Sequence, residues 1–71
     1  MINVGREQRL SPNRLMGLVN EHYPGRPPEF GRIEIQQQEA FFDIDSQAVA
    51  AMNRAVSGQV FEGRSVEIIV L

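Results

Sequence analysis

The sequence predicts a small α+β domain: a four-stranded antiparallel sheet with two helices packed on one face. Three observations predict it. Short segments of alternating apolar residues recur at Ile2–Val4, Ile33–Ile35, Ala40–Ile44 and Val66–Val70. Two longer segments, after Ser11 and after Asp45, instead place apolar residues three and four apart, the helical period. The resulting order is strand, helix, strand, strand, helix, strand. Two right-handed crossovers of that order put both helices on the same side of one sheet.

The first strand is expected over residues 1–5, with Ile2 and Val4 on one face, Asn3 on the other and Gly5 at its end. Arg6 to Arg9 read as a polar connection. The first helix has a clear start. Ser11 can cap free backbone N–H groups, and Pro12 at the first helical position gives up no hydrogen bond there. Leu10 and Leu15 have the spacing of a hydrophobic staple around that cap. Leu15, Leu18, Val19 and His22 form one stripe, so they are the expected buried face. Gly17 costs about 1 kcal/mol of helix propensity relative to alanine, and close approach of the helix to the sheet is its expected justification. Tyr23-Pro24-Gly25 ends the helix, because a residue before proline avoids the α region.

Residues 24–29 form a proline-rich loop. Strands follow over about residues 30–36 and 39–44, joined by a turn at Gln36-Gln37-Gln38. In the first of them Ile33 and Ile35 face the core, with Arg32 and Glu34 opposite. In the second, Ala40, Phe42 and Ile44 are expected buried, and Phe41 substantially exposed on the open sheet face. Asp45 or Ser46 caps the second helix, whose inner face is Val49, Met52 and Val56 with Ala48, Ala51 and Ala55. Gly58 has the place of a residue just past a helix end. Val60-Phe61 is a short apolar patch. Ser65–Leu71 reads as the last strand, with Val66, Ile68 and Val70 inward.

Composition narrows the function. A chain of 71 residues is one domain, and it buries only about 60% of its unfolded surface. It contains no cysteine, which excludes disulfides and thiolate metal sites. No apolar run approaches the roughly 18 residues of a membrane span. No phosphate-binding glycine loop is present, and no nucleophile, base and orienting group can be assembled. His22 reads as a packing residue, and Asp43 and Asp45 as a solvated strand end and a helix cap. The chain is therefore expected to be non-catalytic, without cofactor or metal.

The net charge of −2 opposes binding to phosphates, but all seven basic residues are arginine. The arginine fork pairs with phosphate and stacks on bases. Arg6, Arg9 and Arg14 lie around the start of the first helix, where free N–H groups also favour phosphate. Placing Arg14 in the first turn opposes the helix dipole by a few tenths of a kcal/mol. Residues 6–14 are thus the best phosphate-binding candidate, with a solvated loop of scattered charge as the plain alternative. Arg32, near Phe41 on the open face, could meet a base or form an ion pair with Glu39 or Asp43.

Several short motifs carry a family resemblance: Ile2-Asn3-Val4-Gly5-Arg6, Leu10-Ser11-Pro12, Leu15-Met16-Gly17, Phe30-Gly31-Arg32-Ile33-Glu34-Ile35 and Gly63-Arg64-Ser65-Val66-Glu67. In this order and spacing they resemble the small RNA-binding domain at the C-terminus of bacterial DEAD-box ATP-dependent RNA helicases. The resemblance spans nearly all 71 residues. It implies a ferredoxin-like fold of the type used by RNA recognition motifs, with RNA as partner, and a role in tethering the helicase to structured RNA such as ribosomal RNA hairpins during ribosome assembly. It further implies a cytoplasmic parent chain whose ATPase and unwinding domains precede these residues. By the pattern of RNA recognition motifs, where sheet aromatics stack bases, Phe41 and Asn3 become base-contacting candidates. Glu39 stands where a second aromatic is common. The candidate RNA-binding set is Asn3, Arg6, Arg9, Arg14, Arg32 and Phe41. An acidic open face leaves a second use of the same fold, a protein-interaction or dimerisation module, and more weakly a small-ligand regulatory domain.

Overall fold

The computed structural model describes every residue from Met1 to Leu71. A 3-10 turn, Arg6–Gln8, precedes helix α1, Pro12–His22. Strands β1, Phe30–Ile35, and β2, Ala40–Ile44, form an antiparallel hairpin. A second 3-10 turn, Ser46–Ala48, runs into helix α2, Val49–Val56. Strands β3, Val60–Phe61, and β4, Arg64–Ser65, form a second small antiparallel pair. The fold is thus two helices with antiparallel strands in two small sheets.

The termini are attached by single bridges rather than by ladders, which differs from the expected first strand over residues 1–5. Ile2 bridges Ala40 of β2 on one side and Ile68 on the other, both antiparallel. It exchanges two backbone hydrogen bonds with Ala40, at 2.9 and 3.0 Å. The N-terminal segment therefore lies between the β1–β2 hairpin and the C-terminal segment. Ile2 and Val4 are completely buried, and so are Leu15, Val19 and Val56 from the two helices. These residues centre one hydrophobic core, joined by Leu10, Leu18, Ala40, Met52, Phe61, Val66 and Ile68.

Local chemistry explains the helices as expected. The Ser11 hydroxyl accepts from the Arg14 backbone N–H at 3.2 Å, with Pro12 in the first turn. Leu10 and Leu15, the staple pair, are both buried. Tyr23 leaves the helix in an extended conformation ahead of Pro24. The Asp45 carboxylate accepts from the Gln47 N–H at 2.9 Å and caps the 3-10 turn that leads into α2. Gly58, just past α2, takes a φ of 92°, a conformation glycine adopts without a Cβ clash.

Four expectations are corrected. Gly17 is exposed, and a Cβ built on it meets nothing within 4 Å, so it does not allow close approach to a sheet. The close-packed glycine is Gly5. A Cβ there would strike the Gln36 carbonyl oxygen and come within 2.7 Å of the Gln37 carbonyl group. The reason is a backbone clamp: the N–H groups of Arg6 and Glu7 donate to the carbonyls of Gln36 and Gln37 at 2.8 and 2.9 Å. Second, the last strand does not run from Ser65 to Leu71. Arg64–Ser65 instead returns along Val60–Phe61 through a two-residue turn, with φ of 49° at Glu62 and 78° at Gly63, positive at both positions as a type I′ turn requires. Third, Val66 and Ile68 are buried as expected, but Val70 is exposed.

The fourth concerns β2. Ala40, which bridges Ile2, is buried, whereas Phe42 and Ile44 are half-buried and packed on the core. The Phe42 ring lies 5.7 Å from that of Phe30, tilted by 41°. Phe41, on the other face, is half-buried rather than open, because it borders a groove shared with Met1 and Ile69. A bulge shapes the same hairpin: Phe30 pairs with Ile44 and Ile33 with Phe42, so two residues of β1 oppose Asp43 alone. The bulge resets the alternation, letting both Phe30 and Ile33 pack on the core despite their odd spacing.

The two glycines make a paired prediction. Gly5→Ala forces backbone to move at a packed contact and lowers stability by about 1–3 kcal/mol. Gly17→Ala meets no neighbour and raises it by up to about 1 kcal/mol. Thermal or urea denaturation of the two variants checks the contrast; equal midpoints would contradict it.

Candidate nucleic-acid interface

The clamp between residues 5–8 and the hairpin turn builds a polar corner. Besides the two clamp bonds, the Gly5 N–H donates to the Gln8 side chain at 2.8 Å, and the Gly5 carbonyl accepts from Gln8 and Leu10 at 3.0 and 3.1 Å. This backbone is therefore fixed on both sides. Arg6 and Arg9 project from it and are exposed. The Arg6 guanidinium makes one long contact, 3.4 Å to the Gln37 side-chain oxygen. The Arg9 side chain makes no hydrogen bond or ion pair within the chain. Its backbone is left-handed, with φ of 61°, and closes the 3-10 turn. A shallow recess of about 400 Å³ beside Arg6 is lined by Gln36, Gln37, Gln38 and Glu39. These glutamines supply amide donors and acceptors next to the arginine. In the sequence they mark only a turn, and the run of three is the one signal of them.

Arg14 is differently placed. Its guanidinium pairs with Glu62 at 3.0 Å, donates to the Arg9 carbonyl at 3.0 Å and lies 4.5 Å from the centre of the Phe61 ring. This is the chain's one ion pair, partly exposed on both sides, of a type worth about 0–1 kcal/mol. Arg14 thus links helix α1 to the β3–β4 turn, and the Glu62 carboxylate offsets its unfavourable place near the helix start. A phosphate would have to compete with Glu62 for it.

Asn3 is occupied as well. Its amide nitrogen donates to the Ser65 carbonyl at 3.1 Å, and its oxygen accepts from the Glu67 N–H at 2.7 Å. With both ends used, the side chain acts as a clip that holds the C-terminal segment against residues 1–4. Arg32 is exposed at the bulge of β1 and forms no ion pair with Glu39 or Asp43. Phe41 lies opposite Glu34 in the hairpin register, away from the corner. The geometry therefore gathers Arg6 and Arg9 with the glutamine turn, commits Arg14 and Asn3 to internal contacts, and leaves Arg32 and Phe41 on a separate part of the surface.

A family model described as the DbpA RNA binding domain matches residues 1–69. The chain belongs to that family. It is a non-catalytic RNA-binding domain of the type that forms the C-terminal domain of DEAD-box helicases such as DbpA. No curated protein and no solved structure matches the chain. The match extends from Met1 through Ile69, so it includes the polar corner, the clip at Asn3 and the bulged hairpin alike. None of its helices is long and apolar enough to cross a membrane.

The clip gives a second prediction. Asn3→Ala removes two hydrogen bonds to the C-terminal segment and lowers stability by about 1–2 kcal/mol. It also speeds hydrogen exchange at the Glu67 amide, while Arg9→Ala leaves both readouts unchanged. Unaltered exchange at Glu67 in Asn3→Ala would contradict the clip.

Proposed function

We propose that this domain tethers a DEAD-box ATP-dependent RNA helicase to structured RNA of the ribosomal type, in the cytoplasm, with Arg6 and Arg9 as its principal phosphate contacts. The family match carries the RNA reading. The exposed, unpaired Arg9 and nearly unpaired Arg6, on a backbone fixed by the Gly5 clamp, favour the corner as the contact surface. Arginines on a fixed backbone lose less backbone freedom on binding than arginines on a loose loop. The glutamines of residues 36–38 add hydrogen-bonding groups for riboses or base edges. Asn3 and Arg14 support this surface from within, and Arg32 and Phe41 offer secondary contacts to an unstacked base.

The two bridges at Ile2 favour reading the whole as a ferredoxin-like βαββαβ domain, its four strands forming one sheet. Its acidic residues Glu34 and Asp43 keep phosphate off the outer face of the hairpin, whereas Glu39 lines the recess beside Arg6 itself. Those same residues, with the net charge of −2, favour the second reading, a protein-interaction module.

Titration with a structured RNA at several salt concentrations separates these. Arg6→Ala and Arg9→Ala should each weaken binding to all RNAs alike and flatten the log–log salt slope by roughly 0.7–0.9. Phe41→Ala should cost no more than about 1–3 kcal/mol and leave the slope unchanged. Absence of RNA binding by the unsubstituted domain even at low salt would hand the surface to the protein-interaction reading.

A further inference from the structure

The recess beside Arg6 holds two opposite charges that do not meet. Arg6, Gln36, Gln37, Gln38 and Glu39 line its roughly 400 Å³, with no apolar or aromatic side chain among them. The chain's one ion pair joins Arg14 to Glu62, so the Arg6 guanidinium and the Glu39 carboxylate stand beyond ion-pair distance. The other carboxylate of the corner, Glu7, faces the Gln38 amide, 3.5 Å from each oxygen. The half-buried Glu39 side chain has no such partner.

The spacing of the two charges is set by one residue. The Gln36 N–H donates to the Glu39 carbonyl, and the Gln36 carbonyl accepts from the Arg6 N–H, each at 2.8 Å. Ala40, next to Glu39, is tied in turn to Ile2. The backbone on both sides of the recess is therefore fixed, and the space between the charges is open.

The lining decides what fits. A phosphate alone suits Arg6 and is repelled by Glu39. A cation alone suits Glu39 and is repelled by Arg6. An unstacked base finds no ring to lie on. A ligand that satisfies both charges carries an anionic group and a hydrogen-bond donor close together on one unit. The RNA backbone repeats that pair in every nucleotide, a phosphate and a 2′-hydroxyl, whereas DNA offers the phosphate alone.

We infer that Glu39 is the specificity-determining residue of the corner: its carboxylate accepts a hydrogen bond from a ribose 2′-hydroxyl while Arg6 holds a neighbouring phosphate. The inference rests on the proposed placing of RNA at Arg6 and Arg9. The carboxylate then acts in both directions. It gains a charge-assisted bond where the hydroxyl is present. Where the hydroxyl is missing, it faces phosphate with nothing to offset the repulsion. An acidic residue inside a phosphate-binding recess thus turns general attraction to nucleic acid into selection of RNA.

The test uses an RNA stem-loop and the same stem-loop with fluorine replacing every 2′-hydroxyl. Fluorine preserves the sugar pucker of an A-form helix and removes the donor, so shape and phosphate charge are held constant. Binding of both to the 71-residue chain is measured at low salt, and the ratio of the two dissociation constants is the readout. The unsubstituted chain should prefer the hydroxyl form by about tenfold or more. Glu39→Ala should abolish most of that preference by weakening the hydroxyl form alone. Glu39→Gln, which keeps an acceptor without the charge, should retain an intermediate preference. Melting of each variant is recorded first, and if Glu39→Ala does not fold, Glu39→Gln decides alone. A ratio that stays at the unsubstituted value in the folded variants would overturn the inference. So would equal tightening of both stem-loops, the mark of a carboxylate that only repels phosphate. Either result leaves the RNA reading standing; failure of the unsubstituted chain to bind either stem-loop removes that reading and the inference with it.

Discussion

Everything in this domain hangs on the pairing of one buried isoleucine with two segments distant in sequence. Ile2 bridges Ala40 and Ile68, and its side chain is fully buried at the centre of the core. Removing such a side chain costs about 2–5 kcal/mol, against a total stability of about 5–15 kcal/mol for ordinary domains. Without Ile2 the hairpin and the C-terminal segment share no bridging strand residue, since β1–β2 and β3–β4 are not hydrogen-bonded to each other. The short N-terminal segment therefore does the work a central strand does in a larger sheet, and Val4, also fully buried, continues it towards the corner.

The candidate site is the far end of the same segment. Gly5 follows Val4 directly, and the clamp onto the Gln36 and Gln37 carbonyls is possible because Gly5 has no side chain to hold the hairpin turn away. Core packing at Ile2 and Val4 thus sets the position of Arg6, and the 3-10 turn sets that of Arg9. Asn3, between the two buried residues, points outward and holds Ser65 and Glu67. One run of residues serves the core with alternate side chains and the surface with the others, so that RNA contacts and stability share a foundation.

Features decided within a few residues were legible in the sequence. Ser11-Pro12 announced α1, Asp45 a cap ahead of the second helix, which proves to sit on the 3-10 turn leading into α2, and Gly58 the end of α2, because each answers a need of the backbone next to it. The alternation of Ile2 and Val4 gave their burial. What escaped was set by chain that arrives from elsewhere. The penalty at Gly17 is local and visible, but its surroundings are empty; the need for glycine at position 5 comes from carbonyls more than thirty residues away. Arg14 read as a free cation until the Glu62 turn brought a carboxylate to it, and Asn3 as an open-face residue until Ser65 and Glu67 took both ends of its amide. The bulge left a trace, Gly31 inside a strand, of the kind that marks close backbone approach. The Glu62-Gly63 turn left only its glycine, since glutamate is an unusual residue at positive φ.

The most direct test of the account is a map of backbone amide NMR shifts during titration of the domain with a structured RNA at low salt. The amides of residues 6–9 and 36–38 should move together and saturate at one RNA concentration, because the clamp makes them a single surface. Shifts confined to the outer face of the hairpin around Arg32 and Phe41, with residues 6–9 unmoved, would contradict it.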